Sequence, residues 1–93
     1  MTTVRVRYVA QLKAAAGRHE EEVPLDAAPT LHDLLRWLAA SRGERVREFL
    51  FATDGAPRAS LVIAVGEEHA ARGANRTLRA GDVVTLLAPM SGG

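Results

Sequence analysis

The sequence has no cysteine. That removes disulfides, thiolate metal sites and a thiol nucleophile from consideration, and it suits a reducing compartment. Lysine is almost missing as well: of the twelve basic residues, eleven are arginine and one is Lys13. Few side-chain amines are therefore present to be acylated. The charges nearly balance at a net +1, which gives no reason to expect a nucleic acid or an acidic membrane as partner. No apolar run approaches the roughly 20 residues of a bilayer-spanning helix. Met1-Thr2-Thr3 passes directly into Val4-Arg5-Val6-Arg7, without the apolar core of a signal peptide. A cytoplasmic protein is the expectation.

Several chemistry-bearing patterns are absent too. No Walker or dinucleotide glycine motif occurs, so the chain is not expected to bind ATP or any other cofactor by itself. Ser41, Ser60 and Ser91 lack a GxSxG setting, which argues against a hydrolase triad. His19, His32 and His69 have no metal-ligand spacing and are expected to be solvated. The acidic runs Glu20-Glu21-Glu22 and Glu67-Glu68 are expected to be solvated faces. The cluster Arg42, Arg45 and Arg47 is expected to be a solvated helix end, with a part in docking as the alternative.

What remains is enough for one small domain. At 93 residues and 47% hydrophobic content the chain can bury a real core. Val4 to Val9 alternates apolar and charged residues, the period of a half-buried strand with Val4, Val6 and Tyr8 on one face. An alanine-rich turn or helical turn to Gly17 separates it from a second strand around Val23 and Leu25, where Pro24 suggests an edge. The two should form a hairpin with a long loop. Thr30 and Asp33 have the spacing of a capping box. Leu31, Leu34, Leu35 and Leu38 follow it at i, i+3, i+4 and i+7, one apolar stripe of a helix with Trp37 at its edge. Gly43 is the expected C-terminal stop. Val46, Phe49 and Leu50 permit one more short helix, and Asp54-Gly55-Ala56-Pro57 signals a turn. The apolar run Leu61 to Val65 is expected to be an interior strand. Gly66 to Gly73 should form a turn and a short edge segment, and Leu78 to Asp82 a turn into a last strand. The order predicts an α+β domain in two layers, a small sheet with one main helix packed on one face.

The chain closes on GDVVTLLAPMSGG. Glycine has no side chain to bury and loses the most backbone entropy on ordering, so Gly92-Gly93 contributes little as structure. As a reagent it is a thin stalk carrying one carboxylate. The absence of Cβ atoms lets its backbone approach a reaction centre closely. Such a carboxylate is fully ionised, with an α-carboxyl pKa of about 3.5, and is a poor acyl donor until activated.

The element order resembles the ubiquitin-like β-grasp fold with its small mixed sheet. The Gly81-Asp82 turn, the strand Val83 to Leu87, Pro89 and the terminal Gly92-Gly93 resemble the end of the MoaD/ThiS-like sulfur carriers, above all the small subunit of molybdopterin synthase. One departure is Ala88 before Pro89, where the family often has two prolines. The resemblance implies a β-grasp domain over residues 1–88 and a flexible tail over 89–93. It also implies an E1-like adenylyltransferase of the MoeB/ThiF type, which uses ATP and Mg²⁺ to adenylate Gly93. A sulfur donor protein then displaces AMP to leave a thiocarboxylate. The acceptor would be the large, MoaE-type subunit of molybdopterin synthase, in molybdenum cofactor biosynthesis, or another sulfur-accepting enzyme. The chain would be a protein cosubstrate or a non-catalytic subunit. Gly93 would be the reacting terminus and Gly92 its flexible support. Leu87, Pro89, Met90 and Ser91 would form the partner-binding root. Carriers for cysteine or thio-tRNA synthesis share this pattern, whereas thiamine carriers tend to be shorter. A ubiquitin-like modifier joined to lysines through Gly93 would use the same activated glycine. A β-grasp interaction module with an incidental tail is the third alternative.

Overall fold

The computed structural model describes residues 1–70 and 75–88. In chain order the elements are β1 (Thr2–Ala10), α1 (Gln11–Ala16), β2 (Glu20–Leu25), α2 (Leu31–Ser41), α3 (Glu44–Leu50), β3 (Val62–Val65), β4 (Glu68–His69) and β5 (Val83–Ala88). The strands form one five-stranded sheet in the order β2-β1-β5-β3-β4. β1 and β5 run parallel, from Arg5↔Val83 to Ala10↔Ala88, and the other neighbours are antiparallel. The mixed sheet and its helical layer are those expected of an α+β domain.

Alternation along β1 sends Val4, Val6 and Tyr8 into the core and leaves Arg5, Arg7 and Val9 on the other face. Leu31, Leu34, Leu35 and Leu38 of α2 are fully buried in the same core. The capping box forms as its spacing predicts: Asp33 N–H donates to Thr30 Oγ1 at 3.3 Å and Thr30 N–H to Asp33 Oδ2 at 2.9 Å. That second bond, first among the causes, holds the exposed Asp33 carboxyl below its ordinary range. Two further helix-start donors, which have no partner inside a helix, are met from a distant strap. Leu31 N–H donates to Arg76 O at 3.0 Å, and His32 N–H to Asn75 Oδ1 at 3.0 Å.

Gly43 (φ 102°) follows Arg42, the C-cap of α2, where the stop is expected, and it also serves as the N-cap of α3, so the second helix starts without an intervening loop. The turn expected over Leu78 to Asp82 forms at Ala80 and Gly81, and Leu78 ahead of it is buried in the core with its N–H donating to Pro29 O at 2.8 Å. β3 takes the expected interior position between β5 and β4, with Val65 buried and Val62, Ile63 and Ala64 partly buried. One expectation needs correction: the run at Glu20 to Glu22 is not uniformly solvated. Glu21 has a side chain only 7% exposed, accepting from Arg42 Nε at 2.9 Å and Nη2 at 2.6 Å and from the Tyr8 hydroxyl. Arg42 is accordingly no free helix end; its guanidinium also stacks 5.3 Å above the Trp37 ring. This network ties the end of α2 to the β1–β2 hairpin.

Two outcomes test this core. Leu35→Ala should lower the unfolding free energy by about 2–5 kcal/mol, seen as a lower denaturant midpoint. The second concerns Tyr8, whose hydroxyl is pushed well above its ordinary pKa, first by burial and then by its bond to Glu21. The unfolded chain loses this proton near pH ~10 while the folded chain keeps it. The contribution is therefore complete below that pH and lost progressively above it. Urea midpoints should fall more steeply between about pH 9 and pH 11 in the parent than in Tyr8→Phe; equal slopes would refute the assignment.

Candidate functional site at the root of the tail

The parallel ladder brings the ends of β1 and β5 together. Ala88, buried and the last described residue of β5, lies opposite Ala10. There the chain turns out of β1 with the strained positive φ of 59°, rare for a residue with a Cβ, and enters α1. One step back, Val9 pairs with Leu87, and on the other side of β5 Leu87 pairs with Val62 of β3. Paired residues of adjacent strands share a face. Val9, Leu87 and Val62 thus form a transverse apolar row on the face opposite α2, one residue before the end of β5.

The rest of that face is polar towards β2. Arg5 bonds Glu20 and pairs with Glu22 at 3.0 Å, and Arg7 lies 3.4 Å from Glu20. The Arg5 guanidinium is raised above its ordinary pKa, first by its hydrogen bond to Glu20. These arginines already have partners, whereas the apolar row has none on its outer side among the described residues. Among those residues the exposed large hydrophobics are Met1 and Val9, the latter at 40%. Leu87 is half-buried, consistent with a residue that serves both sheet and surface.

Of the expected site residues, the structure places Leu87 in this row. Pro89, Met90, Ser91, Gly92 and Gly93 lie outside the described residues. Val9 and Val62 were missed by sequence reasoning. Their alternation could have marked them as outward-facing, but only the strand register sets them beside Leu87. Among the described residues no group of three or more His, Cys, Asp or Glu is arranged to hold a metal ion, and no helix is long and apolar enough to cross a membrane.

A five-stranded mixed sheet of this order, crossed on one face by its main helix, is the ubiquitin-like β-grasp. The family model described as the ThiS family matches residues 6–93, and the chain belongs to that family. Solved structures agree over their whole lengths. SAMP1 of Haloferax volcanii, a small archaeal modifier protein, is similar at 27% identity and a TM-score of 0.84, covering 98% of this chain and 99% of that one. A Pyrococcus furiosus protein assigned as molybdopterin converting factor, subunit 1, is similar at 26% identity and a TM-score of 0.76, covering 97% and 100%. Urm1 of Trypanosoma brucei shares the fold at 18% identity and a TM-score of 0.77, covering 99% and 96%. No curated protein sequence matches the chain at a significant level. ThiS/MoaD-like carriers work with E1-like partners and sulfur-accepting enzymes.

If the apolar row meets such a partner, a charge there should be far more harmful than a neutral polar group. Val9→Glu should reduce kcat/KM for activation of the chain by an E1-like enzyme by at least about tenfold, which corresponds to ~1.4 kcal/mol of binding, with little change in the unfolding midpoint. Val9→Thr, of similar shape and strand preference, should retain most activity. Equal behaviour of the two variants would remove the row from the interface.

Proposed function

We propose that this chain is a sulfur carrier whose Gly93 carboxylate is converted to a thiocarboxylate, and that its sulfur goes to molybdopterin in molybdenum cofactor biosynthesis. The observation that carries this reading is the position of β5. It is the middle strand of the sheet, held by ladders on both sides, and the five residues that follow it include Gly92-Gly93. A rigid strand ending beside an apolar row supplies contacts that can offset the ~1–2 kcal/mol cost of ordering each tail residue.

The chemistry runs in two transfers. A Gly93 carboxylate oxygen attacks the α-phosphorus of ATP in the E1-like partner, pyrophosphate leaves, and an acyl-adenylate forms. Hydrosulfide attacking the carbonyl carbon expels AMP and gives the thiocarboxylate directly. The terminal sulfur of a donor persulfide instead expels AMP to give an acyl disulfide, which a second thiol then cleaves to the thiocarboxylate while forming a disulfide with the donor. ATP and Mg²⁺ belong to the partner. In this reading Leu87, Val9, Val62, Pro89 and Met90 bind the partner, Ser91 and Gly92 span to its active site, and the reaction takes place in the cytoplasm. The molybdopterin assignment is supported by the end-to-end similarity to the Pyrococcus furiosus protein.

A second reading shares the first transfer and differs in the acceptor. The similarity to SAMP1 favours a modifier, in which a lysine amine of a target protein attacks the adenylate and an isopeptide forms. Conjugates between copies of this chain would be confined to Lys13 or the amino terminus, since no other lysine is present.

Intact-mass analysis of the protein from its native cells, with the C-terminal peptide mapped, separates these outcomes. A thiocarboxylated Gly93 carries one sulfur in place of oxygen and is alkylated by iodoacetamide; an oxidised Met1 or Met90 has nearly the same nominal mass and is not alkylated in this way. Gly93→Ala and deletion of Gly93 should abolish the alkylatable species and leave the unfolding midpoint unchanged. Gly93 found only on target lysines would replace the carrier reading with the modifier. Gly93 unmodified after incubation with ATP, sulfide and the host activating enzyme would reject both.

A further inference from the structure

The helical side of the molecule carries a groove that the tail chemistry leaves unused. It lies between α2 and α3, encloses about 340 Å³ and is lined by Arg36, Ala39, Ala40, Arg47, Phe51 and Gly55. The two alanines leave space beside the half-buried Phe51, so the groove has an apolar floor. Among the described residues its charged lining is the two arginines, both exposed. Arg36 has one carboxylate partner, Asp33 at 3.4 Å, with both side chains about half in solvent or more. Arg47 has none among the described residues. The contrast with Arg42 is informative, since that guanidinium is fully engaged by Glu21 and Trp37. A neighbouring depression shares Arg47 and Phe51 and mixes Glu44 and Glu48 with Arg58, so the uniformly basic lining belongs to the groove that holds Arg36 and Arg47.

We infer that this groove docks an acidic segment of a partner protein, with one large apolar side chain seated on Phe51 between the alanines and carboxylates on Arg36 and Arg47. A small inorganic anion would leave the apolar floor unused. A second copy of the chain is a poor occupant: Glu20 and Glu21 are held by Arg5 and Arg42, and the run Glu67-Glu68 is followed by His69 and Ala70, which offer no large apolar side chain for the floor. The groove is on the opposite side of the sheet from the row Val9, Leu87 and Val62. A partner held there leaves the root of the tail free, so this chain can be bound at both places at once.

The test is an NMR titration of the ¹⁵N-labelled full chain with two acetylated probe peptides, Glu-Glu-Leu-Phe-Glu-Glu and its Lys-Lys-Leu-Phe-Lys-Lys counterpart. The acidic peptide should shift the amides of Ala39, Ala40, Arg47, Phe51 and Gly55 at sub-millimolar concentration, less so as salt is raised, while the basic peptide leaves them unmoved. The double variant Arg36→Glu/Arg47→Glu, at two exposed positions and checked by its dispersed spectrum, should weaken the acidic peptide by at least about tenfold and gain the basic one. The inference fails if neither peptide shifts these amides, if both shift them alike, or if the shifts fall on Val9, Val62 and Leu87 instead. It also fails if the same amides move on concentrating the chain without peptide, which would assign the groove to a second copy.

Discussion

The parallel ladder between β1 and β5 is the contact on which the rest of the described sheet depends. Antiparallel neighbours can be joined by a tight turn, but parallel strands require a long crossover. Here the intervening chain holds every helix and three of the five strands. Pairing the first and last strands therefore carries the loop-closure cost of nearly the whole described chain. Their register puts Ala88 beside Ala10, and β5 is bonded on both sides as the middle strand of the sheet.

The same ladder separates two faces with different physical characters. On one, β1 and β5 alternate inward through Val4, Val6, Val84 and Leu86, which pack with the four buried leucines of α2. On the other, charged residues of β1 and β2 neutralise one another and leave an apolar row at the tail. Partnered arginines resist being stripped of their carboxylates, so they supply little adhesion. Half-exposed valine and leucine side chains release water on contact and supply most of what a small interface needs.

Orientation of the helical layer relies on polar ties at both ends of α2. At its start, the capping box is reinforced by the strap at Asn75 and Arg76. At its end, Glu21 gathers Arg42 and the Tyr8 hydroxyl in a nearly dry setting. A buried carboxylate is costly unless its oxygens are bonded, and these partners occupy both. The network thus favours one placement of the helix over the alternatives that an apolar stripe alone would permit.

Local patterns determined what could be read before any contact was known. Alternation marked the buried face of β1, the Thr30–Asp33 spacing began α2, the four leucines defined its stripe, and Gly81-Asp82 ahead of an apolar run signalled β5. Each arises from neighbours a few residues apart, whose geometry the backbone period sets. The family was legible for a related reason: the Gly81-Asp82 turn, the apolar run after it and Gly92-Gly93 are a local pattern that needs no distant neighbour. Tertiary structure alone decided the rest. Glu21 looked like its two flanking glutamates until Arg42 and Tyr8 closed around it, nothing local marked Leu78 ahead of its turn as core, and Val9 and Val62 had no visible relation to Leu87. Strand register is a relation between distant segments, governed by which whole set of side chains packs together, and no short stretch of chain encodes it by itself.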